Sequence, residues 1–378
     1  MTLRVLHLIT RLPVGGAERL LVDVVRNLER SRFESLVCCI QDKGALAAEL
    51  EAAGVAVHCL DRMRTKRFDW GAVSALKRLM QRERIDVVHC HLYHANLYGR
   101  IAAWLAGVPA VVSVHNTYTR VKLHRRLLNR LLARVTARII AVSDETRRDV
   151  LRYDGVPDDK VVTIYNGVDV QRVASALTRT QARQRLGIGE QSIAIGCVGR
   201  LEEQKGHRYL FEALAVLGRD APPLAARTHT LLVGDGRLRT QLEEQVRTLA
   251  LDDRVAFLGT RGDVPDILKA LDLYVMPSRW EGLSIAMLEA MAAGLAVIIS
   301  DVGGVGRVLG DDQFGLRVPP ADPGRLARAI RELAEQPARR EALGRAARER
   351  VVDAFSAQAM IAAISRTYEE AARAEPVR

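Results

Sequence analysis

The sequence predicts two doubly wound α/β domains in series. Three observations carry this. Short apolar runs alternate with amphipathic stretches long enough for crossover helices, the alternation restarts after a polar interval, and 378 residues exceed what one core ordinarily serves. With 48% apolar and 27% charged residues, the mixture is that of a globular chain and excludes a disordered or fibrous one.

Taken in order, Leu3–Ile9, Leu36–Ile40, Val55–Leu60, Val87–Cys90, Ala110–Val114, Arg138–Val142 and Val161–Tyr165 read as strands. Many are apolar on both faces, as strands buried in a parallel sheet must be. Ala17–Leu28, Gly44–Ala53 and Trp70–Glu83 read as helices between them. The first domain is placed at 1–170, and the polar stretch 171–189 is expected to be a linker. Ile193–Val198, Thr230–Val233, Val255–Phe257, Leu273–Met276 and Leu295–Ser300 then build a second domain at 190–355. The rest reads as helical, broken at Pro337, with a helix at about 356–378 expected to pack back on the first domain.

Lys and Arg outnumber Asp and Glu by 56 to 45, a net charge of +11. Residues 1–170 hold 27 basic and 18 acidic side chains, so the first half carries most of the excess. Such a balance suits nucleic acid, an anionic membrane or a phosphorylated small molecule. Nucleic acid rests on charge alone, without a motif or stacking platform, so no specific nucleic-acid partner is expected. The five cysteines form no Cys-x-x-Cys and four lie in apolar runs, as buried thiols of a reducing compartment do. The N-terminus reads as a strand rather than a signal peptide, and no apolar run reaches membrane-spanning length. A cytoplasmic protein is expected, at most peripheral on the inner face of the membrane.

Ligands of doubly wound domains sit at the carboxyl ends of strands. After the first strand, Gly15-Gly16-Ala17-Glu18 opens a helix, where backbone amides and the helix dipole favour a phosphate. After the first strand of the second domain comes Gly199-Arg200, with Lys205-Gly206 five residues on, cations able to clamp a diphosphate. Past Met276 the chain reads Pro277-Ser-Arg-Trp-Glu281-Gly282-Leu283-Ser284, with Ser284 suited to cap a helix that Gly294 ends. Amides at Gly282–Ser284 would meet an anion. Glu281 and Glu289 are eight residues apart, which along a helix is about 12 Å and about 80° of turn. One carboxylate would then reach a sugar and the other a ribose. His89-Cys-His91-Leu-Tyr-His94 has the look of a metal cluster, but no carboxylate or second cysteine completes a familiar site, so no structural zinc is expected.

With Asn166-Gly-Val-Asp169, these motifs, in order along the whole chain, resemble the retaining nucleotide-sugar glycosyltransferases of family 4. The resemblance implies a GT-B fold, two Rossmann-like domains facing each other across a cleft. It implies transfer of a hexose from a UDP- or GDP-sugar to a hydroxyl acceptor with retention, in bacterial polysaccharide or lipid-linked glycan assembly. Implied catalytic residues are His115, Arg200, Lys205 and Glu281. Implied donor-binding residues are Gly15, Gly16, Arg200, Lys205, Glu281, Gly282, Leu283, Ser284 and Glu289, the last on the ribose. His91 or His94 would face the acceptor. No cofactor or metal is expected, the nucleotide sugar being a co-substrate, since cations and amide dipoles can stabilise the departing diphosphate. One departure is Val305-Gly306-Arg307, where the family often carries an acidic residue after Gly303-Gly304. The alternatives are a nucleotide-sugar epimerase of the same fold and a non-catalytic sugar-nucleotide binder.

The span 119–138 holds Arg120, Lys122, Arg125, Arg126, Arg130, Arg134 and Arg138 and no acid. Leu123, Leu127, Leu128, Leu131, Leu132 and Val135 fall within about half a helical wheel. Such a helix either packs on the domain with a solvated basic face or lies on an anionic lipid surface.

Overall fold

The computed structural model describes residues 2–65, 67–118 and 123–374. The chain forms two compact units. One runs through Asn166 and takes in the C-terminal segment from Ala357, and the other is Gly167–Ser356.

The first unit holds seven strands: β1 (Leu3–Arg11), β2 (Phe33–Asp42), β3 (Ala56–Cys59), β4 (Val87–His91), β5 (Ala110–Val114), β6 (Arg138–Ala141) and β7 (Val161–Thr163). They pair in parallel in the order β3-β2-β1-β4-β5-β6-β7. Side chains alternate across this sheet. Leu6, Leu8, Val88 and Cys90 pack under helices Trp70–Arg82 and Tyr93–Ala106, and Ile9, Val37 and Cys39 pack under helix Gly16–Asn27. Helix Ala357–Arg373 belongs to this unit through Tyr368, fully buried with its ring edge against Phe33 and His7, and through the Arg32–Glu369 ion pair.

The second unit holds β8 (Ile193–Val198), β9 (Thr228–Val233), β10 (Val255–Gly259), β11 (Leu273–Met276), β12 (Ala296–Ser300) and β13 (Leu316–Val318), all parallel in the order β10-β9-β8-β11-β12-β13. The two orders follow one plan, reversing between β1 and β4 and between β8 and β11. Strand β13 was not foreseen. It has three residues with Arg317 in the middle, too short for alternation to show, and exists by pairing Ile298 with Leu316 and Ser300 with Val318.

The stretch 171–189, expected as a linker, carries helix Arg179–Leu186 with a Thr178–Gln181 capping box. Its polar sequence hides what holds it. Arg183 is 1% exposed, pairs with Asp272 at 2.5 Å and donates to the carbonyls of Ala270, Gly189 and Glu190. A buried guanidinium replaces the apolar anchor that periodicity looks for.

Helix Leu123–Arg134 divides the leucines that the sequence grouped. Leu132 and Ala133 are buried, whereas Leu123, Leu127 and Leu131 are 69%, 55% and 57% exposed. Asn129 fixes that choice, accepting from Arg100 at 2.9 Å and donating to Asp154 at 3.1 Å. The leucine stripe is therefore not packed on the domain as one face. Arg120 and Lys122 lie outside the described residues. Among the described residues no helix is long and apolar enough to cross a membrane.

Candidate functional site

In the second unit the chain leaves β11, turns, and enters helix Ile285–Ala292, whose first amides are capped by Ser284 through Met287 N–H at 3.4 Å. Glu281 lies in the turn and is 5% exposed. Its Oε1 accepts from Lys205 Nζ at 2.6 Å and Ser278 Oγ at 2.9 Å, and its Oε2 accepts from Gln204 Nε2 at 3.3 Å. Gln204 Nε2 also reaches the Trp280 carbonyl at 3.1 Å, and Arg279 N–H returns a bond to the Gln204 carbonyl at 2.8 Å. The loops after β8 and β11 are thus stitched together around one carboxylate.

Two glycines make that closeness possible. Gly206, at φ +64°, presses on the Pro277 carbonyl, and Gly303, at φ +55°, presses on the carbonyls of Glu281 and Gly282. A Cβ at either would stand inside contact distance of backbone, in a conformation side chains rarely adopt. Gly304 N–H completes the clamp on the Gly282 carbonyl at 2.7 Å. Gly282, Leu283 and Ser284 are buried within it.

The helical arithmetic for the two carboxylates does not hold, because the helix begins at Ile285 and Glu281 precedes it. Only Glu289 is helical, and it pairs with Arg172 at 2.7 Å. Arg200 follows β8, exposed and in no ion pair among the described residues. His207 opens the helix after Lys205-Gly206, 2% exposed, with neither ring nitrogen hydrogen-bonded. Burial, aided by the Lys205 charge, lowers its pKa to about 4.

In the first unit, Gly15 is the extended N-cap residue of helix Gly16–Asn27 and has no side-chain cap. The Glu18 carboxylate folds back over it. His115 follows β5 directly, half-buried, and desolvation lowers its pKa to about 4. Its ring stacks 6.0 Å from that of His91. His91 is 2% exposed and His89 1%, whereas His94 is exposed.

Sequence reasoning missed Ser278, Gln204, Arg172 and His7. Ser278 and Gln204 sit beside residues already singled out, so adjacency was the available signal. Arg172 lies 117 residues from Glu289 and left none. His7 stands in register opposite His89 and shares its face with His91, a pairing of β1 with β4 that neither strand's sequence shows.

Known proteins resemble this chain over nearly all of it. A model of group 1 glycosyl transferases matches residues 178–350, and one of glycosyltransferase family 4 matches residues 14–172. A UDP-Gal:alpha-D-GlcNAc-diphosphoundecaprenol alpha-1,3-galactosyltransferase of Escherichia coli is 32% identical over 302 residues, 77% of each chain. A 2-deoxystreptamine glucosyltransferase of Streptomyces kanamyceticus is 31% identical over 75% of this chain and 77% of its own. The Anabaena HepE structure with UDP and glucose superposes with TM-score 0.86 at 25% identity, covering 97% of this chain and 99% of that one. With its paired parallel sheets and these relatives, the chain belongs to the family 4 type of GT-B glycosyltransferases.

Proposed function

We propose that this glycosyltransferase moves a hexose from a UDP-sugar to a hydroxyl of a lipid-linked glycan, with retention at the anomeric carbon, on the cytoplasmic face of a membrane. The observation that carries the donor half is the Glu281 turn, a buried carboxylate held at 2.6 Å by Lys205 at the start of a capped helix. Fixed dipoles and a fixed cation there stabilise the charge that grows on a departing diphosphate. Arg200, exposed beside this loop and in no ion pair among the described residues, adds the second cation. Glu281 takes sugar hydroxyls while Lys205 shifts toward phosphate, and Gly282, Leu283 and Ser284 supply amides. Glu289 serves the ribose by sharing its carboxylate with Arg172. For Gly15, Gly16 and His115 the support is the resemblance together with their places after β1 and β5. The chemistry needs no cofactor or metal at the donor. UDP is favoured over GDP because the galactosyltransferase relative is named for UDP-Gal and HepE was crystallised with UDP.

For the acceptor, the support is the relative that acts on a diphosphoundecaprenol glycan and the outward Leu123, Leu127 and Leu131. Arg125 and Arg130 are exposed on the same helix. Such a surface suits anionic lipid headgroups around an apolar insertion.

The test is a transfer assay with UDP-glucose, UDP-galactose and GDP-mannose, with and without an undecaprenyl-diphosphate-linked sugar, reading nucleoside-diphosphate release and the product anomer by NMR. Release that depends on acceptor and gives an α-linked product supports the reading. Acceptor-independent change of the sugar itself would instead identify an epimerase, and binding without turnover a non-catalytic binder.

A further inference from the structure

The first unit contains a polar cluster that the transfer chemistry does not use. One ring nitrogen from each of His7, His89 and His91 lies within 4.8 Å of the other two, and all three side chains are buried. His7 lies on β1, and His89 and His91 lie on β4, the two strands at which the sheet order reverses. The rings of His89 and His91 are 3.9 Å apart, and His7 stacks at 5.9 Å on His91.

Hydrogen bonding divides the three. His89 is held on both sides, by Tyr368 Oη at 2.6 Å and Ser113 Oγ at 2.8 Å. Among the described residues His7 and His91 have no partner on either nitrogen, though neither exceeds 2% exposure. Each unsatisfied buried polar atom costs about 1–3 kcal/mol, so two such rings, each turning one nitrogen toward the others, call for a ligand. Burial lowers the pKa of His7 to about 3 and those of His89 and His91 well below the usual histidine value. An imidazole in its neutral form has one lone pair to give an ion.

We infer that His7, His89 and His91 form a structural site for one divalent transition-metal ion, Zn2+ first among those that imidazole favours. Imidazole donors of this kind suit zinc better than magnesium or calcium. Tetrahedral zinc with bonds of about 2.0–2.1 Å sets its nitrogens roughly 3.3 Å apart, so small ring rotations from the 4.8 Å limit suffice. His89 exchanges one hydroxyl partner for the ion and keeps the other as the group that orients its ring. The fourth position goes to water. Bound there, the ion ties β1 to β4 beneath Tyr368 of helix Ala357–Arg373.

The test uses the full chain, free of any affinity tag. Its metal content is measured by mass spectrometry as isolated. It is then stripped with a chelator, and Zn2+ or Co2+ is added while the melting temperature and visible absorption are followed. The inference expects one ion per chain at saturation, a higher melting temperature with Zn2+, and the d–d bands of four-coordinate Co2+. His7→Gln and His91→Gln should each lose at least tenfold in affinity, on the order of what altered ligation costs, while His229→Gln on β9 should bind like the parent. Should a variant fail to fold by circular dichroism, titration of the stripped parent decides alone. No retained ion and no response of the stripped chain would overturn the site, leaving internal water as the ligand, as would equal binding by folded His7→Gln and His91→Gln. None of these readouts depends on transfer activity.

Discussion

The two units use one strand plan and furnish its reversal point in opposite ways. Between β1 and β4 the first places three neutral histidines, two of them without hydrogen-bond partners. Beyond the ends of β8 and β11 the second places a charged pair, Lys205 with Glu281, braced by Ser278 and Gln204. The same contrast recurs deeper in. The second unit anchors its entering helix with the buried Arg183–Asp272 pair, whereas Arg100, the buried cation of the first, is held by the neutral Asn129. The scaffold therefore supplies a place for ligands without deciding their chemistry. Fixed charge suits a diphosphate, while clustered uncharged nitrogens suit a soft cation.

Breaking the deepest charged pair should separate the units most. Asp272→Ala leaves Arg183 buried without its carboxylate and should cost about 3–5 kcal/mol. Urea unfolding followed by hydrogen exchange should show protection lost across Gly167–Ser356 and kept at β1–β7. Next, Lys205→Ala strands Glu281, which is 5% exposed, and should cost about 3 kcal/mol as well as donor affinity. Glu281→Gln keeps the shape and frees the lysine for phosphate, so UDP should bind at least as tightly by calorimetry.

Acid should weaken the second unit through His207. His207 has a folded pKa of about 4 against an ordinary 6.5, so protons bind the unfolded chain first. Its stabilising contribution is complete above about pH 6.5, declines as pH falls, and levels off below about 4. The loss approaches about 3 kcal/mol, and His207→Gln should flatten that part of the stability profile in denaturant titrations. The smallest effect belongs to the surface. Replacing Leu127 and Leu131 with Ser should leave stability within about 0.5 kcal/mol and reduce sedimentation with anionic liposomes. Parent chain that fails to sediment at low salt would remove the membrane from the account.

Much of the fold was legible because buried parallel strands write themselves as apolar runs. The Glu281 turn was legible because strand end, glycine and capping serine follow one another locally. What escaped was held by long-range polar contact. The helix Arg179–Leu186 depends on Asp272, β13 depends on β12, and Arg172 finds Glu289 only after folding. The outward turn of Leu123, Leu127 and Leu131 was likewise set by Asn129 and its partners, not by the wheel. His7 escaped because a lone histidine in an apolar strand carries no motif.

The central claim is that the paired Glu281 and Lys205 form the donor site of a glycosyltransferase. Its most direct measurement is acceptor-dependent transfer by Glu281→Gln at saturating UDP-sugar, beside UDP affinity of the same protein. The account predicts a turnover lower by about 100-fold or more with UDP affinity retained. Transfer at the parent rate would contradict it.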